Sequence, residues 1–172
     1  MLDKGNFKKN NKDNYILLTL HRPENTDNFN YLLSILKKLN SLNYPIKYIV
    51  HPRVVSDKFN NEIKDLKNLK IIEPVDYESF IDYLVNSHFV ISDSGGLQEE
   101  SAILRKILII PRQYTERPEL LDSYNFIAEN TNKLFQLSKK AIKNTIEVKN
   151  KKLLYGTDQV IEKISNKILK SI

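Results

Sequence analysis

The tightest constraint in this sequence is a series of short apolar runs with little polar alternation inside them: NYILLTL, PIKYIVH, LKIIE, HFVIS, KILII and YNFIAE. A strand with one wet face carries polar residues at every second position. A strand in a parallel sheet is covered by helices on both faces and reads instead as a continuous apolar run. The segments between these runs have helical spacing. Phe29, Leu32, Leu33, Leu36 and Leu39 share one helix face, and Phe59, Ile63 and Leu66 share another. Tyr77, Phe80, Ile81, Leu84 and Val85 form a third set, and Leu134, Leu137, Ala141 and Ile142 a fourth. SGGLQEESAIL opens a further helix, and a last one is expected from about Asp158 through Val160, Ile161, Ile164 and Ile168. This alternation predicts an α/β domain with a Rossmann-like, doubly wound parallel sheet. Residues 1–14 are polar and rich in Lys and Asn and read as a lead-in or linker; 15–172 read as one domain. Pro23 and two Asn in HRPENTDN are expected to break any regular element there, with Thr26 or Asp27 as N-cap of the helix that follows.

Several function classes are excluded early. The 27 Lys and Arg against 21 Asp and Glu give a net charge of +6. The cations are spread over helix faces and loops, however, and the one dense stretch, KKAIKNTIEVKNKK, lacks the interleaved aromatics on which bases stack, so no nucleic-acid partner is expected. No window reaches the roughly 20 apolar residues of a membrane helix, so no membrane partner is expected and a cytoplasmic location is the default. The chain has no Cys, and His21, His51 and His88 lack ligand spacing, so no metal site is expected. GxGxxG and GxxxxGK[ST] are both missing, which weighs against a redox dinucleotide cofactor and a P-loop ATPase.

In a doubly wound sheet, ligands bind beyond the carboxyl ends of the strands. After HFVIS comes Ser94-Gly95-Gly96 at a helix start, where close backbone approach and unpaired amides suit a diphosphate. Glu99 and Glu100, one turn on, can accept hydrogen bonds from sugar hydroxyls; a capped helix with two exposed acids would look the same. After the first run come His21, Arg22, Glu24 and Asn25, a proton-exchanging group beside a cation, equally compatible with an ordinary charged loop. After KILII come Arg112, Thr115, Glu116, Arg117, Pro118 and Glu119, where paired guanidiniums suit a phosphorylated ligand and Pro118 suits a helix start. His51 and Arg53 hold the matching place after PIKYIV, where a structural role fits better than a ligand contact.

Taken in order, TLHRPEN, IVHPR, EPVDYESFIDYL, SDSGGLQEE, PRQYTERPE and LLYGTDQVIEKI resemble the C-terminal half of the non-hydrolysing UDP-N-acetylglucosamine 2-epimerases. The likeness runs from about Tyr15 to the end. It implies one half of a glycosyltransferase-B-like two-domain enzyme, with the nucleotide sugar between the halves and no cofactor. That family interconverts UDP-N-acetylglucosamine and UDP-N-acetylmannosamine by eliminating UDP and adding it back on the other face. The resemblance further implies that Phe80 packs against uracil, that Ser94, Gly95 and Gly96 clamp the diphosphate, and that Glu100 holds the ribose hydroxyls. His21 matches a catalytic histidine, and Arg22 and His51 match contacts to a second, activating UDP-N-acetylglucosamine. Arg112 and Arg117 are expected to share in anion binding.

The expected partners are UDP-N-acetylglucosamine or UDP, a separate N-terminal epimerase domain, and a second copy, since the family is usually homodimeric. The acidic residues thought to move the proton at C2 belong to that N-terminal domain, so this half is expected to be inactive alone. Half of a glycosyltransferase and a non-catalytic UDP-sugar-binding module are the alternatives. The chain departs from the family pattern in carrying Arg105 and Ile107 where Gly and Pro are common, and Tyr124 and Asn130 where Gly is common. A left-handed conformation is open to Asn130 but would strain Tyr124.

Overall fold

A computed structural model describes residues 14–149. Its sheet is built from β1 (Ile16–Thr19), β2 (Ile46–Ile49), β3 (Leu69–Ile72), β4 (Phe89–Ser92), β5 (Leu108–Ile110) and β6 (Asn125–Ile127). All five pairings are parallel, and the order is β3-β2-β1-β4-β5-β6. Each apolar run expected to be a strand is one. The helices are α1 (Pro23–Thr26), α2 (Phe29–Asn40), α3 (Asp57–Ile63), α4 (Tyr77–Asn86), α5 (Gly95–Ile103) and α6 (Thr131–Ile142), with 3₁₀ turns at Pro52–Val54 and Pro118–Leu120. Pro118 does begin a helical turn, where its missing N–H costs nothing.

The absence of polar alternation has a direct cause in the packing. On β1, Ile16 and Leu18 enter a core shared with Leu36 of α2, Phe59 of α3 and Leu134 of α6. Leu17, between them, enters a second core with Ile81 and Leu84 of α4 and Leu97 of α5. Both faces of the central strands are therefore dry, and every position must be apolar. The strand order reverses between β1 and β4, and their register sets Thr19 beside Ser92. The loops leaving these two strands thus emerge side by side, at the place where an open α/β sheet forms its ligand crevice.

Three local expectations are corrected. HRPEN is not irregular: Pro23, its φ preset for a helical start, opens the single turn α1, with the Asn25 and Thr26 amides donating to the Arg22 carbonyl. Because Thr26 lies inside that turn and Asp27 ends it, the N-cap of α2 is Asn28, whose side chain accepts from the Tyr31 amide at 3.1 Å. Asn130 is extended at φ −154° and caps α6 by accepting from the Lys133 amide at 2.9 Å, so no left-handed conformation is needed. Tyr124 is not left-handed either, whereas Arg105 is, at φ 53°. The glycine that the resemblance implies at that position would have a backbone reason, one that this chain meets with a strained arginine. The polar lead-in, apart from Asn14, and the helix expected from Asp158 lie outside the described residues. Among the described residues no helix is long and apolar enough to cross a membrane.

The Asn130 cap can be tested directly. Asn130→Ala is expected to cost about 1 kcal/mol in urea unfolding, and Asn130→Gly only a few tenths, because glycine is tolerated at an N-cap. A glycine variant more stable than the wild type would point back to a left-handed residue.

Candidate functional site

Beyond the β1 and β4 ends lies a cleft of about 270 Å³ lined by Thr19, His21, Tyr77, Phe80, Ser94, Gly96, Leu97 and Glu100. Five residues singled out from sequence, His21, Phe80, Ser94, Gly96 and Glu100, are thus brought together, and Gly95 adjoins them at the start of α5. Ser94 is the N-cap of that helix: its hydroxyl accepts from the Leu97 amide at 3.4 Å. The amides of Gly95 and Gly96 are left without an acceptor among the described residues. They carry the positive end of the helix dipole into the cleft.

Both glycines have ordinary negative φ, so no backbone strain calls for them. A Cβ on Gly96 would meet nothing within 4 Å, and one on Gly95 would lie 3.8 Å from Glu116 Oε2 and 4.0 Å from an Arg22 nitrogen. The protein's own packing would accept a side chain at either position. Glycine in a helix costs about 0.5–1 kcal/mol relative to alanine, so two in succession keep open a space that the fold leaves unfilled.

Glu100 receives a hydrogen bond from the Tyr77 hydroxyl at 3.1 Å. Burial pushes the Glu100 carboxyl above its ordinary range and the Glu99 charge adds to this, while the Tyr77 hydrogen bond acts in the opposite direction. Tyr77 itself is 60% exposed at the cleft mouth; sequence reasoning placed it on the core-facing stripe of its helix and missed its place in the cleft. Its pKa is raised by desolvation and by Glu100.

Asp93 was also missed. It is fully buried, and its carboxylate accepts from the backbone amides of His21, at 3.1 and 3.2 Å, and Arg22, at 3.0 Å, and from the Asn25 side-chain amide at 2.9 Å. The imidazole Nδ1 of His21 lies 3.1 Å from the same carboxylate. An acid immediately after a buried strand at the switch point was the available signal.

The arginines sit differently from expectation. Arg112 is 6% exposed, donates to Glu116 at 2.7 and 2.8 Å, and lies 3.1 Å from Glu24 in an ionic contact without hydrogen-bond alignment. The hydrogen bond from Arg112 holds the Glu116 carboxyl below its ordinary value. Arg22 donates to Glu116 from the other side at 3.1 Å, and Arg117 is paired with Glu99. None of these three guanidiniums lines the cleft. Exposed His51 accepts the Arg53 amide at 3.3 Å, and the Arg53 guanidinium donates to the His21 carbonyl and, at 3.0 Å, to the Thr26 hydroxyl. Among the described residues no group of three or more His, Asp or Glu could hold a metal ion.

Comparison with known proteins gives this geometry a context. The family model described as UDP-N-acetylglucosamine 2-epimerase matches residues 2–169. A UDP-N-acetylglucosamine 2-epimerase of Methanococcus maripaludis is 43% identical over 123 residues, 66% of this chain and 33% of that protein. One of Campylobacter jejuni is 30% identical over 173 residues, 95% of this chain and 45% of that protein. The Methanocaldococcus jannaschii UDP-GlcNAc 2-epimerase, solved in complex with UDP-GlcNAc and UDP, superposes with a TM-score of 0.74 at 35% identity, covering 92% of this chain and 46% of that one. The chain therefore spans a third to just under a half of the length of these relatives. A family model matched over nearly every residue, on a Rossmann-like sheet shared with a solved member, means that this chain belongs to the UDP-N-acetylglucosamine 2-epimerase family.

Proposed function

We propose that this chain is the UDP-sugar-binding half of an enzyme that interconverts UDP-N-acetylglucosamine and UDP-N-acetylmannosamine. The observation that carries the reading is the unfilled space over Gly95 and Gly96 at the start of α5, bordered by His21, Phe80 and Glu100. Two free amides with a helix dipole behind them suit a diphosphate, Phe80 offers a flat face to uracil, and Glu100 offers acceptors to ribose hydroxyls. The relative solved with UDP-GlcNAc and UDP supports the same ligand class.

In the proposed reaction a base outside this chain removes the C2 proton while the C1–O bond breaks and UDP leaves with the bonding electrons. UDP then adds back to the acetamidoglucal, and a proton returns to C2 on the opposite face. His21, at the rim of the diphosphate site, stabilises the charge that develops on the departing UDP, either as a cation or as a proton donor. Arg112 and Arg117 brace Glu116 and Glu99 around the site, a role that their ion pairs support better than direct anion contact. Arg22 and His51, both outside the cleft, remain the candidates for a second UDP-N-acetylglucosamine. A partner segment supplying the other half, a homodimeric assembly and a cytoplasmic location complete the proposal.

Calorimetry on the isolated chain is expected to show weak UDP binding, since half a cleft leaves much of the ligand in water. Gly96→Trp is expected to weaken it by about 10-fold or more with the urea midpoint unchanged, because the position opens onto empty space. Equal affinity in the two proteins would remove the diphosphate from this helix start.

A second test addresses chemistry. The chain alone is expected not to epimerise UDP-N-acetylglucosamine and to do so when the remaining half is supplied. In that reconstituted enzyme His21→Asn is expected to lower kcat by about 10²-fold while UDP affinity changes less than several-fold. Near-wild-type turnover would take His21 off the list of reacting groups.

A further inference from the structure

We propose that Asp93 is the positioning residue of His21: its buried carboxylate fixes the imidazole as the Nδ1–H tautomer and turns Nε2 toward the cleft. The catalytic use of that arrangement rests on the function proposed above; the arrangement itself rests on geometry.

A carboxylate in a dry interior survives only when its oxygens are well supplied with donors. Asp93 has three besides the ring, the amides of His21, Arg22 and Asn25, and these would suffice to tie the loop down. The imidazole is a further neighbour: its Nδ1 lies 3.1 Å from the carboxylate, in an ionic contact without hydrogen-bond alignment. An ionised carboxylate can only accept and repels a ring lone pair held this close, so the geometry favours the proton on Nδ1. The other ring nitrogen has no hydrogen-bond or ion-pair partner among the described residues, and the ring lines the cleft. Nε2 is therefore the atom offered to a ligand, as a lone pair or as a second N–H. The Arg53 guanidinium also donates to the His21 carbonyl, a second tie on the same loop. When Nε2 takes up a proton, the Asp93 charge lies across the ring to offset the new positive charge. Were Asp93 only a loop tie, the ring contact would be incidental and the tautomer unconstrained.

The test needs no turnover. The full 172-residue chain, labelled with ¹⁵N-histidine, is examined by two-bond ¹H–¹⁵N correlation at about pH 8.5, above the ordinary imidazole range. The three histidines are distinguished with a His21→Gln control. The expected spectrum has His21 protonated at Nδ1 and bare at Nε2. In Asp93→Asn the side-chain amide can present an N–H to Nδ1, and the tautomer is expected to reverse to Nε2–H. A wild-type His21 that is Nε2–H, or that averages both forms, overturns the proposal even if the variant fails to fold; so does an Asp93→Asn protein that keeps the wild-type tautomer.

A second arm uses the chain complemented with the remaining half of the enzyme. If Asp93 acts through His21, the Asp93→Asn, His21→Asn double variant loses no more turnover than the worse single variant, within about 2-fold. Losses that multiply overturn the positioning role. If the wild-type pair shows no epimerisation at all, the proposed function fails while the tautomer measurement still decides the geometry.

Discussion

The hydrogen bonding of one buried carboxylate holds the candidate site together. Asp93 follows a strand that is dry on both faces, and it meets the loop from β1 because the parallel register sets Thr19 beside Ser92. Remove the carboxyl group and three N–H groups from the loop lose their acceptor at a buried or half-buried place, a larger penalty than the loss of an ordinary surface bond. The same contact fixes where His21 stands relative to the start of α5. Two strands that are neighbours only through the reversal of strand order are thus coupled where a ligand would bridge their loops.

The part of this fold that was legible in the sequence was the part decided by burial. Every strand could be read, because positions such as Leu17 and Leu18 point to opposite cores and neither can be polar. What escaped was decided by competition among polar groups. Pro23 reads as a breaker in the sequence, but at the first position of a turn its fixed φ starts a helix, and that moves the cap of α2 from Thr26 or Asp27 to Asn28. Asn130 could serve as a left-handed residue or as a cap, and only its place before the Lys133 amide decides between them.

Within the site the same division holds. SGG at a strand-to-helix junction announces itself through local backbone chemistry, and the structure puts its free amides where that chemistry requires. Asp93 and Tyr77 could not be weighed locally: the value of Asp93 lies in donors some seventy residues earlier in the chain, and that of Tyr77 in a hydroxyl that reaches Glu100 on the next helix of the same face. Tyr77 also fits the periodicity of its helix, and periodicity alone cannot tell the last core position from the first position at a cleft mouth.

The arginines carry the argument furthest. Sequence places Arg22, Arg112 and Arg117 at strand ends, as an anion site would, but also places Glu24, Glu99 and Glu116 among them, and spacing cannot say which guanidinium faces a ligand. The structure pairs Arg112 with Glu24 and Glu116, Arg22 with Glu116, and Arg117 with Glu99. Each of the three cations is thus engaged with a carboxylate of the protein and not with the space over Gly95 and Gly96. The donors that stay free at the cleft are the backbone amides at the start of α5, whose positions the helix fixes and which need no side chain to be ordered when a ligand arrives. A side-chain cation could be drawn in only by giving up a carboxylate partner, and Arg22, 4.0 Å from where a Gly95 Cβ would stand, is the one near enough for that exchange to matter.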